Sequence, residues 1–200
     1  MWPLVWWFQS WRWRGWLWLD RPAPALHALD VWLAAVQRQT PRPQCPSASL
    51  LHAWATRAHV LAGLGQWALA EAQLQVVLAS QPQGAAHWFN LGFVRMKMGC
   101  PAPAQSAFER ALALSPAMDA AWFGLGQALA EQGSWERAEQ AWTQQVALQP
   151  WCPDGLEQLV RLHQRCGERG RAVHRLEQLR AFSPRRAMAL EPLLQQVTVP

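Results

Sequence analysis

Proline, glycine and alanine each return in this chain at one fixed interval. Pro82, Pro116, Pro150 and Pro184 stand 34 residues apart, as do Gly65, Gly99, Gly133 and Gly167, and Ala70, Ala104, Ala138 and Ala172. Bulky residues keep the same register: Trp54, Trp88, Trp122 and Leu156 form one column, Leu74, Phe108, Trp142 and Leu176 another. Columns in a common register confine the chain to a repeat architecture, in which one small unit recurs and hides its apolar face against its neighbours.

The spacing inside a unit predicts a helical hairpin. Trp122, Leu125, Gly126 and Leu129 fall at i, i+3, i+4 and i+7, one stripe of an α-helix, and Gly133 follows to end it. Ala138, Ala141, Trp142, Val146 and Leu148 mark a second helix stopped by Pro150. Small residues in the Gly92/Gly126 and Ala104/Ala138 columns allow close helix approach, and each Trp or Phe fills the space beside them. One hairpin alone leaves its stripe in water, so the expected fold class is all-α, a solenoid of stacked antiparallel hairpins.

With Trp-x-x-Leu-Gly at Trp88–Gly92 and Trp122–Gly126, followed by Ala, a bulky aromatic residue and Pro, the pattern resembles the tetratricopeptide repeat family. The resemblance covers four units, about 51–84, 85–118, 119–152 and 153–186. The outer two drift: Arg57-Ala58 replaces the Leu-Gly pair in the first and Leu159-Val160 in the last, as terminal repeats do. Leu190, Leu193, Leu194 and Val197 continue as a capping helix over 187–198, short or kinked at Pro192. The solenoid thus occupies 47–200. Before it lie an arm, 1–19, and a segment, 20–46, holding a helix from Ala25 to Gln39 and a proline-rich connector.

The resemblance implies a non-catalytic adaptor that takes a partner's helix or extended peptide in a groove lined by the first helix of each hairpin. The rows expected to face it are His52, Ala55, His59 and Ala62; Ala86, Phe89, Asn90, Phe93, Met96 and Lys97; Ala120, Phe123, Gly124, Gln127 and Glu131; and Asp154, Glu157, Gln158, Arg161, Gln164 and Arg165. Of these, Phe89, Asn90, Phe93, Met96, Phe123, Gln127, Arg161 and Arg165 are the candidate binding residues. Some family members clamp acidic C-terminal tails with Lys, Arg and Asn, but here only Asn90 stands in a matching place. An apolar centre with a basic end suits instead an apolar helix or peptide carrying acidic residues at one end.

The arm is unlike the rest. Trp2, Trp6, Trp7, Trp11, Trp13, Trp16 and Trp18 are seven of the chain's 15 tryptophans, interleaved with Arg12 and Arg14. Its longest uncharged run is too short to span a bilayer, and it lacks the charge order and cleavage site of a secretory signal. Indole and arginine together make an interfacial anchor. The arm is therefore expected to dock to an anionic membrane surface or a larger complex, with packing on its own solenoid as the competing expectation. The implied location is cytoplasmic, or peripheral on the inner membrane of a bacterial cell.

Charge and chemistry narrow the classes further. Only 16% of residues are charged and the net charge is +5. Eight arginines between Arg161 and Arg186 face two glutamates there, which raises nucleic-acid binding through phosphate contacts and Trp stacking as the alternative function. An Arg-rich, Lys-poor composition accounts for much of that excess. Cys45, Cys100, Cys152 and Cys166 are too scattered for a zinc site or disulfide framework. His163 with Cys166, and His52 with His59, share helical faces but have no carboxylate or third ligand at a useful sequence spacing. No metal, cofactor or catalytic residue is expected.

Overall fold

The computed structural model describes residues 22–39 and 47–195. The arm, the connector from Thr40 to Pro46 and Val197 lie outside the described residues. Between Cys100 and Pro101 the chain divides into two compact units. The N-terminal unit holds α1 (Pro22–Gln39), α2 (Ala48–Gly63), α3 (Trp67–Ser80) and α4 (Ala85–Lys97). The C-terminal unit holds α5 (Pro101–Leu114), α6 (Asp119–Glu131), α7 (Trp135–Leu148), α8 (Pro153–Arg165), α9 (Arg169–Phe182) and α10 (Pro184–Gln195). The described residues contain no strand, and within each unit successive helices pack on one another as in a solenoid.

Both turn columns have local physical causes. Gly133 adopts φ 76° after α6, and Ser134 and Gly133 donate their backbone N–H groups to Leu129 and Ala130. That left-handed cap satisfies carbonyls the helix leaves orphaned. At the unit's other boundary, the Trp88 and Trp122 indole N–H groups donate to the Pro82 and Pro116 carbonyls, each at 2.8 Å. The tryptophan column therefore fills space and also ties the incoming turn to the helix that follows it.

Small residues decide how closely the helices approach. A Cβ on Gly124 would come within 2.6 Å of the Phe108 ring, and one on Gly126 would overlap the Trp142 indole. In the last hairpin the same columns carry Val160 and Leu176, both in a core with Leu156, Leu179, Leu190 and Leu194. Gly beside Trp and Val beside Leu are two ways of filling one space at native density.

Two helices start earlier than the apolar pattern suggests. α1 begins at Pro22, ahead of Ala25, and α10 at Pro184, ahead of residue 187. Prolines in a first turn lack an N–H that would have had no helical acceptor, so both helices run through them. α1 buries Leu29, Trp32 and Leu33 against Leu50 and Ala53 of α2, each worth about 1.5–3 kcal/mol. Arg57, the residue that breaks the Leu-Gly pattern, donates from Nε to Asp30 of α1 at 2.6 Å and from its terminal nitrogen to Gln73 of α3 at 2.9 Å. What looks like repeat decay is a polar link between three helices.

Candidate partner-binding site

In the N-terminal unit, α4 buries Leu91, Gly92 and Val94 on one side, which turns Phe89, Asn90, Phe93 and Met96 outward. Phe89, Asn90 and Met96 are half-buried, whereas Phe93 is 43% exposed. Trp67, the first residue of α3, meets the Phe93 ring edge-on at 6.4 Å, and Lys97 Nζ sits 5.4 Å from the centre of the same ring. Arg95 fixes the helix from the side, pairing with Glu71 of α3 at 2.7 Å. His52 and His59 of α2 are exposed, and Ala55 and Ala62 half-buried. His87 packs against Gly84, and burial pushes its imidazole below the usual range.

In the C-terminal unit, α8 presents Gln158, Arg161, Gln164 and Arg165 to a cleft of about 430 Å³ that Glu131 and Trp135 close from the facing side. The Arg165 guanidinium lies 4.2 Å from the centre of the Trp135 ring. Arg161 has no acidic partner among the described residues. Gln164 also donates to the Leu193 carbonyl at 3.0 Å, capping a carbonyl near the end of α10. Phe123 and Gln127 are half-buried on α6 and do not line the cleft.

Asp154 and Glu157, on the expected groove row, are both paired with Arg186, at 2.7 and 3.1 Å. Two expectations need correction. Gly124, placed among the groove residues, is buried beneath Phe108, because its missing side chain admits that ring. His163 does have carboxylates around it: Glu168 at 2.9 Å and Glu139 at 3.7 Å, with Arg171 bound to both. The chain turn after α8 brings Glu168 back, and hairpin packing supplies Glu139, so neither showed at helical spacing. This histidine is 1% exposed and sits inside a network that holds α7, α8 and α9 together. Arg171, and after it His163, hold the Glu168 carboxyl below its ordinary range.

Several of the C-terminal arginines are therefore neutralised locally: Arg171 and Arg186 as above, and Arg180 by Glu191 at 2.6 Å. Trp135 is the site residue that helix-face reasoning missed. A signal for it exists: Trp67 and Trp135 are 68 residues apart, as are Lys97 and Arg165, and both tryptophans abut the end of the following helix. Among the described residues no three His, Cys, Asp or Glu side chains gather to hold a metal, and no helix is long and apolar enough to cross a membrane.

Comparison with known proteins fits this geometry. MamA from Desulfovibrio magneticus RS-1, residues 41 to the end, superposes with a TM-score of 0.78 at 20% identity, over 88% of this chain and 94% of that one. YrrB, a TPR protein with an unusual peptide-binding site, gives 0.71 at 18%, over 90% and 87%. The first TPR of Spaghetti (RPAP3), bound to an HSP90 peptide, gives 0.59 at 16%, over 60% and 96%. Likeness at such identities establishes the fold. No curated protein matches in sequence. The sequence model of the tetratricopeptide repeat matches residues 55–93 and 94–150, and its hairpins, caps and 34-residue columns identify that stretch as tetratricopeptide repeats.

Proposed function

We propose that this chain is a non-catalytic adaptor that captures a helix or extended peptide of a partner protein on the first helices of its hairpins. Repeat proteins of this family mediate protein–protein interactions through such surfaces. Phe89, Asn90, Phe93 and Met96 supply an apolar contact in the N-terminal unit. Phe123 and Gln127 add to the contact in the C-terminal unit, where Arg161 and Arg165 receive acidic side chains. The observation that carries the reading is the cleft at Arg161 and Arg165: a guanidinium held on an indole, and beside it one without an acidic partner among the described residues. Aromatic and arginine side chains are the residue types that dominate interface energetics.

In this reading the Trp-rich arm makes a second contact, with an anionic membrane surface or a larger complex, and the protein is otherwise cytoplasmic. Partner capture from cells, followed by cross-linking, tests the first part. Phe89→Ala with Phe123→Ala, or Arg161→Glu with Arg165→Glu, should each reduce capture by at least about tenfold, the change that 1.4 kcal/mol produces, while helicity is kept. Equal yields from variant and parent would remove the assignment. Flotation with anionic vesicles, with and without residues 1–19, tests the second part.

A further inference from the structure

The outer face of α3 is more apolar than its counterparts in the later repeats, which share only the alanine of the last column, at Ala113, Ala147 and Ala181. Leu69, Ala72, Val76 and Ala79 fall at i, i+3, i+7 and i+10, and all are exposed, Leu69 by 54% and Val76 by 47%. The repeat provides its own control. One period on, the first three columns hold Pro103, Ser106 and Arg110; then Arg137, Gln140 and Gln144; then Arg171, His174 and Gln178. Nothing in hairpin packing demands apolar residues there. Val31 of α1 is also exposed, by 49%.

We propose that residues 1–21 of this same chain pack on this stripe and form its cover whenever the arm is not engaged elsewhere. The stripe alternates branched and small residues at a 3,4 spacing, the seam on which a helix or an indole-bearing segment seats well. Bulky side chains against alanines repeat the large-against-small packing that Trp142 makes on Gly126 inside the fold. The arm joins the unit at Pro22, the first residue of α1, on the helix that carries Val31. The 14 residues of α3 are about 21 Å long, and 21 residues reach about 30 Å as a helix or about 70 Å extended. Tethering sets the local arm concentration in roughly the millimolar range. The stripe carries no charged side chain, and the arm's single acid, Asp20, stands at its junction with α1, so the stripe offers no cation to prefer an anionic headgroup. The arm bound here is withheld from membranes, so this docking sets when the second contact of the proposed function becomes available. It does not depend on the groove assignment.

Trypsin reads the state of the arm directly, because Arg12 and Arg14 are its cleavage sites there and Arg21 is shielded by Pro22. In the full-length protein without lipid, cleavage after Arg14 should be slow and independent of protein concentration. Leu69→Gln with Val76→Gln should accelerate it by about tenfold or more, the change expected when a local docking of a kcal/mol or two is lost, and should raise vesicle flotation with unchanged circular dichroism. Carbene footprinting of the unsubstituted protein provides the second measurement: α3 should gain label at Leu69 and Val76 once the arm has been clipped. Equal cleavage of parent and variant would overturn the proposal. So would an unchanged footprint, protection that grows with protein concentration (a second copy as occupant), or protection that needs phosphatidylglycerol vesicles (lipid as occupant).

Discussion

The α3–α4 region of the N-terminal unit and the α7–α8 region of the C-terminal unit are the same piece of design written twice, 68 residues apart. Trp67 and Trp135 open the second helix of a hairpin in both. Glu71 pairs with Arg95 in one, and Glu139 stands by His163 in the other. Yet the rows proposed for partner contact have diverged: Phe89, Asn90, Phe93, Met96 and Lys97 become Glu157, Gln158, Arg161, Gln164 and Arg165. The frame that holds a helix in place is kept, while the side chains on these rows change together with the groups they meet.

The sharpest way to break the comparison is to exchange its packing solutions. Ala58 and Leu74 are buried in the N-terminal unit at the columns that Gly126 and Trp142 fill in the C-terminal one. Gly126→Ala alone drives a methyl into the indole and should cost about 1–3 kcal/mol. Trp142→Leu alone leaves a cavity and should cost about 3 kcal/mol. The double variant should recover a kcal/mol or more of the summed loss. Urea unfolding of all four proteins reads this, and strict additivity would show that the two columns do not share one space.

The next effect concerns the polar pairs. Arg95→Met strands a Glu71 carboxylate that is 21% exposed and should destabilise the N-terminal unit by about 1–3 kcal/mol. His163→Leu should cost under about 1 kcal/mol, because Arg171 still holds both carboxylates and leucine already serves this column at Leu61 and Leu129. A larger loss from His163→Leu than from Arg95→Met would reverse the assignment of which unit relies on its pair.

The smallest effect is in pH. The folded imidazole of His87 lies below 6.5, so the unfolded chain binds its proton first and the N-terminal unit should lose stability as pH falls below that value. His87→Asn should flatten the slope. The lowered Glu168 carboxyl contributes stability that is complete above the ordinary carboxylate range and disappears as pH falls through its depressed folded value. Hydrogen exchange resolved by unit should therefore show the N-terminal one softening first on acidification. Simultaneous softening would remove the distinction.

The sequence by itself determined the hairpins, because a repeat must satisfy the same local physics each time. Glycine after a helix, proline before the next and one small residue against one large residue are short-range demands, and they surface as columns. The arginines at 161 and 165 and the aromatic residues at 89 and 93 stand out in the sequence for the same reason, as exceptions within a repeated row. Only the tertiary structure decided which exceptions were structural. Arg57, Glu157 and His163 acquire their partners from other helices, 27, 29 and 24 residues away in sequence, where no helical spacing points. It also decided that Trp135 belongs to the cleft and Gly124 to the core. Burial and pairing across hairpins depend on which surfaces meet, and periodicity along one helix carries no record of that.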